Sequence, residues 1–271
     1  MNPYKNCQGM AGNWSCRWIE AGHSEKTLIL LHGIGSTAQS WISQILAFSK
    51  DYRVIAWSAP GYGQSDPLTI KAPIQDDYVR VLLAFLDMLH IHDINIVGHS
   101  LGAIIATHFA VSYPNRVKRL ILSSPAGGYD IPQNEALSEL LQQRINDIRS
   151  LGPAGMAKKR AWRTVTDHAE ASVIQQATEA MSNITMKGYE QAVNLLGRSN
   201  LRGDLDKLQT QTVPVLCGVE DRITTFEKVE QLTRSLKGRY LLPIPNAGHA
   251  SYLECPEAYN QALQKALTFE G

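Results

Sequence analysis

The fold of this chain is decided by the stretch Ile94–Ala106, which reads INIVGHSLGAIIA. A β-branched run ends at Gly98, an apolar pattern with helical spacing begins at Leu101, and Ser100 stands between them. This is the G-x-S-x-G pattern in the strand–turn–helix setting that it requires. The flanking glycines allow a sharp, strained turn that aims the serine hydroxyl outward at the start of a helix. We therefore predict that Ser100 is a nucleophile.

Around this stretch, short apolar runs alternate with amphipathic helical patterns. Strand-like runs lie at 27–31, 53–57, 94–98, 117–122, 213–218 and 240–244. Such alternation is typical of a parallel, doubly wound α/β sheet. Between residues 129 and 206 the sequence has only helical patterns. We therefore predict that residues 1–128 and 207–271 form a mostly parallel, doubly wound core, with residues 129–206 as a helical cap inserted between two sheet strands.

The composition argues against several classes of protein. Of 271 residues, 44% are hydrophobic and 19% are charged, which is enough for a large buried core. The formal net charge is +1 without a long basic run, so we predict no nucleic-acid partner. Residues 1–12 lack a signal-peptide core, and no apolar stretch approaches the roughly 20 residues that span a bilayer. With four cysteines that lack C-x-x-C spacing, we predict a reduced, cytoplasmic protein without a membrane partner.

Two loops downstream supply the partners that a serine nucleophile needs. Asp221 and His249 each follow a strand-like run, and the order serine, acid, histidine is the one required for this motif. The imidazole removes the hydroxyl proton and returns it to the leaving group, while the carboxylate fixes the imidazole tautomer. Glu220 and Asp130 are alternative acids. We predict that Ser100, Asp221 and His249 are the catalytic residues.

The serine motif also predicts an oxyanion hole formed by two backbone N–H groups. One belongs to Leu101, and the other lies in the loop after the first buried strand, at Ile34. That loop, residues 33–38, also matches a relaxed dinucleotide-binding pattern, but Trp57–Pro60 lacks the acidic residue that would bind a ribose. No histidine group has metal-ligand spacing with a carboxylate or thiol. We therefore predict neither a cofactor nor a metal.

Taken together, the motifs of this chain resemble the α/β-hydrolase superfamily with a helical cap. They are LHG at 31–33, PGYGQS at 60–65, GHSLG at 98–102, Asp221, and Gly248-His249. The resemblance implies the α/β-hydrolase fold and a cofactor-independent hydrolase. The cap stretches 187–192 and 201–205 are similar to those of 3-oxoadipate enol-lactonases and related carboxylesterases. This similarity implies that a small-molecule ester or lactone is the substrate.

The cap carries a basic cluster around Trp162. A solvated helix face is the usual interpretation of such a cluster. The alternative hypothesis is that one member, such as Arg163, turns inward and binds a substrate carboxylate in a bidentate manner. The predicted substrate-binding residues are His32, Gly33, His99, Trp162 and Arg163.

Other functions remain open on the same scaffold, because a fold alone does not fix the reaction. One is hydrolysis of a carbon–carbon bond in ring-fission products. Members of that branch carry Trp after the catalytic histidine, whereas Ala250 stands here. The others are a hydrolase-like ligand receptor that signals through cap movement, and a lyase or cofactor-free oxygenase. The sequence favours a carboxylesterase or lactonase that works through an acyl-enzyme.

Overall fold

The computed structural model describes residues 3–208, 212–234, 236 and 240–269. Eight strands make up one sheet within these residues. They are β1 (Lys5–Ala11), β2 (Trp14–Ala21), β3 (Thr27–Leu31), β4 (Arg53–Ser58), β5 (Ile94–His99), β6 (Val117–Ser123), β7 (Pro214–Gly218) and β8 (Tyr240–Ile244). Their spatial order is β1-β2-β4-β3-β5-β6-β7-β8.

Most neighbouring strands of the sheet are parallel. In the spatial order from β4 to β8, which includes β3, every pair of neighbouring strands is parallel. Strand β2 is antiparallel to both β1 and β4. β3 is buried along its whole length, as expected for a strand covered on both faces. The mostly parallel sheet predicted from the apolar runs is therefore confirmed.

Helices cover both faces of the sheet. They are α1 (Ile42–Phe48), α2 (Gln75–Met88), α3 (Leu101–Ser112), α4 (Glu139–Arg160), α5 (Ala171–Ser182), α6 (Met186–Arg198), α7 (Leu201–Lys207), α8 (Phe226–Arg234), α9 (Ser251–Glu254) and α10 (Pro256–Thr268). Because successive side chains of a strand point to opposite faces, Ile29 packs in the same cluster as α2 and α3, and Leu28 in that of α1 and α10. None of the helices in the described ranges is long and apolar enough to cross a membrane.

The chain between β6 and β7 carries helices α4 to α7 and a short 3₁₀ helix, Ala161–Thr164. α4 is interrupted at Gly152, whose φ of 65° and following proline break the helical path. These helices coincide with the stretch in which the sequence has only helical patterns. The division into a core and a cap domain at residues 129 and 206 stays a prediction.

Candidate active site

Ser100 forms the turn between β5 and α3 and is itself strained. Its φ of 52° and ψ of −112° lie outside the regions that a serine ordinarily adopts. A Cβ at Gly98 would lie 2.4 Å from the Gly102 carbonyl oxygen, and one at Gly102 would lie 2.5 Å from the Leu31 carbonyl oxygen. The turn is anchored to β6 because the Ser100 N–H donates to the Ser123 carbonyl at 3.0 Å. The packing therefore requires glycine at both positions.

Asp221 and His249, in the loops after β7 and β8, are joined by a 2.8 Å contact between Asp221 Oδ2 and His249 Nδ1. Asp221 Oδ1 accepts hydrogen bonds from the N–H groups of Ile223 and Thr224 at 2.8 and 2.9 Å. Burial raises the pKa of the Asp221 carboxyl, but His249 and these donors outweigh it and hold the pKa below its usual value. An ionised carboxylate only accepts hydrogen bonds, so Nδ1 of His249 donates and Nε2 is left as the basic nitrogen.

The two alternative acids lie elsewhere. The Glu220 side chain is exposed, with a carboxylate oxygen 3.9 Å from His168 Nδ1. Asp130 Oδ2 accepts a hydrogen bond from Asn200 Nδ2 at 2.9 Å. Of the three candidate acids, Asp221 is the one hydrogen-bonded to His249.

A cavity of about 620 Å³ lies between the carboxyl ends of the strands and the helices that follow β6. Ser100 and His249 line it, as do Ile34 and Leu101, whose N–H groups are the predicted oxyanion donors. This is the edge at which parallel α/β sheets bind ligands. Four of the residues singled out in the sequence thus share one cavity.

The chain is similar to known proteins in sequence and in fold. A family model described as alpha/beta hydrolase fold matches residues 26–256. The chain belongs to the alpha/beta hydrolase family. The (E)-2-((N-methylformamido)methylene)succinate hydrolase of Acinetobacter baylyi is 30% identical to this hydrolase over 260 residues, which cover 94% of this chain and 95% of the relative.

Two further similarities are shorter or structural. The 2-hydroxy-6-oxononadienedioate/2-hydroxy-6-oxononatrienedioate hydrolase of Paraburkholderia phymatum is 39% identical over 113 residues, or 40% of this hydrolase and 39% of that protein. The crystal structure of the enol-lactonase from Burkholderia xenovorans LB400 superposes with a TM-score of 0.86 at 19% identity, covering 97% of this chain and all 100% of the other. At that identity the superposition shows the shared fold.

His32, predicted to bind substrate, lies outside the lining of the hydrolase cavity. Its Nε2 accepts a hydrogen bond from the Ala59 N–H at 2.9 Å, so the proton is on Nδ1, which donates to the Gly33 carbonyl at 2.8 Å. Burial lowers the pKa of His32 to about 4, which keeps the ring neutral. His32 thus fixes the loop that carries Ile34, and a contact between its ring and substrate stays a prediction.

His99 is likewise occupied by backbone and lies outside the lining of the cavity. Its Nε2 donates to the carbonyl oxygen of His249 at 2.9 Å, and burial lowers its pKa to about 3. The neutral ring therefore carries its proton on Nε2 and supports the His249 loop from below. A Cβ on Gly33 would lie 2.8 Å from both His99 Nδ1 and Ser100 Cβ, so the packing at this position requires glycine, and a contact between Gly33 and substrate stays a prediction.

The basic cluster around Trp162 divides between the surface and the cavity. Trp162 is 48% exposed and lies outside the lining of the cavity, whereas Arg163 lines it. The sequence analysis missed other polar contributors to the lining, among them Arg144, Tyr189, Arg222 and Lys228. Their spacing carries no common pattern, because they come from three separate helices and a loop.

The charges in the cavity have one sign. Arg160 is paired with Asp147 at 2.7 Å and Arg222 with Asp167 at 2.8 Å. Arg144, Arg163 and Lys228 form no ion pair within the described part of the chain, and no acidic side chain from that part lines the cavity. The hydrolase therefore offers a cationic pocket beside Ser100. Among the described residues, no group of three or more potential metal ligands comes together.

Proposed function

We propose that this chain is a serine hydrolase that cleaves a carboxylic ester or lactone of a small, carboxylate-bearing substrate through an acyl-enzyme. The observation that carries the proposal is that Ser100 and His249 line one cavity together with Arg144, Arg160 and Arg163. The hydrogen bond between His249 and Asp221 supports it, because a fixed imidazole is what activates a serine.

In the proposed mechanism, Ser100 Oγ attacks the substrate carbonyl while His249 Nε2 accepts the hydroxyl proton. The N–H groups of Ile34 and Leu101 receive the developing oxyanion. Collapse of the tetrahedral intermediate expels the alcohol, which takes the proton from His249 and leaves Ser100 acylated. Water, deprotonated by the same imidazole, then attacks the acyl group. The second tetrahedral intermediate releases the acid, and His249 returns the proton to Ser100 Oγ.

The cationic lining supports an acidic substrate. Arginine binds a carboxylate through two parallel N–H···O hydrogen bonds, and Arg144 and Arg163 are available for such a contact. The names of two relatives specify a succinate and a dienedioate, each of which is a dicarboxylate. We therefore expect substrates that keep one carboxylate in addition to the group that is cleaved.

The test of the serine mechanism is intact-protein mass after reaction with a fluorophosphonate probe. Wild type is expected to gain a single adduct, and Ser100→Ala is expected to gain none. Ser150→Ala, which removes an exposed hydroxyl on α4, is the matched control and is expected to label like wild type. A folded wild type without an adduct, or an adduct that persists in Ser100→Ala, contradicts the mechanism.

The test of the substrate class compares two esters that have the same leaving group. The aryl monoester of succinic acid keeps a free carboxylate, whereas its methyl-capped diester is neutral. We expect a higher kcat/KM for the monoester, by about tenfold or more if one charge-assisted contact is made. Equal values for the two esters would contradict the acidic-substrate proposal and leave the serine mechanism in place.

A second candidate is hydrolysis of a carbon–carbon bond. The match with the 2-hydroxy-6-oxononadienedioate hydrolase favours it, although only over 113 residues. Ala250 after His249 argues against it, since the resemblance implies Trp at that position in the carbon–carbon branch. Loss of the dienoate absorbance of that substrate, with faster turnover than that of the aryl ester, would favour the second candidate.

A further inference from the structure

The loop that carries His249 rests on the segment that leaves the 3₁₀ helix after β6, residues 164–166, called here the linking segment. The Ala250 N–H donates to the Thr164 carbonyl oxygen at 2.7 Å. On the other side of His249, a Cβ at Gly248 would lie 2.9 Å from the backbone of the linking segment. Both neighbours of the predicted base therefore touch this segment.

Glu254, at the end of α9, completes the connection. Its Oε1 accepts hydrogen bonds from the N–H of Thr166, at 2.9 Å, and from the Thr166 hydroxyl. Its Oε2 accepts a hydrogen bond from the Gly248 N–H at 2.7 Å. One carboxylate thus joins the linking segment to the His249 loop through both of its oxygens. A carboxylate suits this position because it only accepts hydrogen bonds.

The first residue of the linking segment itself lines the cavity. Arg163 precedes Thr164 in the 3₁₀ helix, and both line the cavity. On the side of the acid loop, the Arg222 guanidinium donates to the Val165 carbonyl at 2.8 Å. The segment therefore contacts the Asp221 loop, the His249 loop and the cationic side of the pocket within three residues.

We propose that Glu254 is a positioning residue that sets the place of His249 by tying its loop to the linking segment. The proposal rests on the proposed function, since it assigns to His249 the proton transfer to and from Ser100. Proton transfer depends steeply on the placement of the base, so loosening the loop slows the chemistry without removing any group that touches substrate. Ground-state binding of the substrate depends on other residues and is preserved.

The variant that tests this is Glu254→Gln. A glutamine has the same shape, but its NH₂ group must face either the Gly248 N–H or the Thr166 N–H, and two donors cannot bond each other. We expect kcat to fall by about 10- to 100-fold with KM nearly unchanged. Thr166→Val removes only the hydroxyl contact, so a smaller fall in the same direction is expected. The matched control is Glu257→Gln, which changes an exposed glutamate on α10 and is expected to behave as wild type.

Fluorophosphonate labelling separates positioning from a loss of folded protein. A displaced His249 gives slow labelling that still reaches completion, whereas a partly unfolded sample labels incompletely at the normal rate. Slow and complete labelling of Glu254→Gln, with lower kcat, supports the proposal. Wild-type kinetics, or incomplete labelling at the wild-type rate, overturns it. Failure of wild type itself to label refutes the serine mechanism, and this inference falls with it.

Discussion

At the scale of single residues, the turn at Ser100 depends on the absence of a Cβ atom at Gly98 and at Gly102. The space that a Cβ at Gly98 would occupy is filled by backbone of α3. The space that a Cβ at Gly102 would occupy is filled by backbone at the end of β3. The strained Ser100 backbone, which costs on the order of 1–3 kcal/mol, persists because this packing admits no relaxed alternative. Residues that bear no reactive group therefore decide where the reactive hydroxyl points.

Gly98→Ala is expected to lower both stability and activity. The added methyl group would meet the Gly102 oxygen at 2.4 Å and the Ala103 Cα at 2.6 Å, so backbone must move at a cost of about 1–3 kcal/mol. Gly127→Ala is the control, because nothing lies within 4 Å of its added Cβ. Urea unfolding measures the stability of the two variants. Equal midpoints for the two variants would contradict this account of the turn.

Arg163→Ala is expected to raise KM for the succinate monoester while leaving the neutral diester unaffected. Loss of one charged hydrogen-bonding group is worth roughly 1.5–3 kcal/mol, which corresponds to about tenfold or more in KM. Lys158→Ala removes an exposed charge from the same stretch and serves as the control. Steady-state kinetics on both esters decides the matter, and equal effects of Arg163→Ala on the two would refute its role.

At the scale of elements, one polar cluster fastens α7 to α2 and α3. His108 Nδ1 lies 2.9 Å from Asp204 Oδ2, and its Nε2 lies 2.6 Å from Asp76 Oδ1. Asp204 also accepts from Lys207 at 2.8 Å and from Gln75 at 2.7 Å. The hydrogen bond to Asp204 is the main reason that the pKa of His108 is raised above its ordinary value, with Asp76 adding to it and burial partly opposing it.

The raised pKa of His108 should make the stability of the protein depend on pH. Because the folded-state pKa of His108 lies above the reference value of 6.5, its stabilisation is present below that value and is lost as the pH rises through the folded-state pKa. We expect the advantage of wild type over His108→Gln in unfolding free energy to shrink as the pH rises from below 6.5 through the folded-state pKa of His108. His23→Gln, which replaces an exposed histidine outside the cluster, is the matched control. A constant difference between wild type and His108→Gln would argue against the cluster.

At the scale of the whole molecule, the helices after β6 are joined at separate places to the loops that follow the strands. The Thr185 N–H donates to the Gly61 carbonyl at 2.9 Å, and the Leu201 N–H to the Gly127 carbonyl at 2.9 Å. The linking segment provides a third connection through Ala250. Short, well-spread backbone contacts of this kind favour one cooperative unit.

We therefore expect a single unfolding transition for core and cap together. In differential scanning calorimetry, the calorimetric and van't Hoff enthalpies should agree, and tryptophan fluorescence and far-ultraviolet circular dichroism should give the same midpoint. Two resolved transitions would mean that residues 129–206 unfold independently of the sheet.

The features that could be predicted from the sequence are those that depend on a local pattern of residues. Apolar runs and the glycines around Ser100 are contiguous in the chain, so the mostly parallel sheet and the turn could be inferred. The partners of His32 and His99 could not, because they lie 27 and 150 residues away, and both rings are committed to backbone groups that no motif marks. Arg144 was missed for the same reason. Which face of a helix meets the cavity depends on packing across the whole fold.

The single sign of charge in the pocket has a consequence for turnover. Cleavage of an ester of an acid creates one new carboxylate, so the acid that must leave carries more negative charge than the ester that entered. A pocket lined by Arg144, Arg163 and Lys228 holds that acid more tightly than its precursor. Product departure is then expected to be slowed, so that dicarboxylates act as inhibitors, and added salt is expected to hasten release by screening.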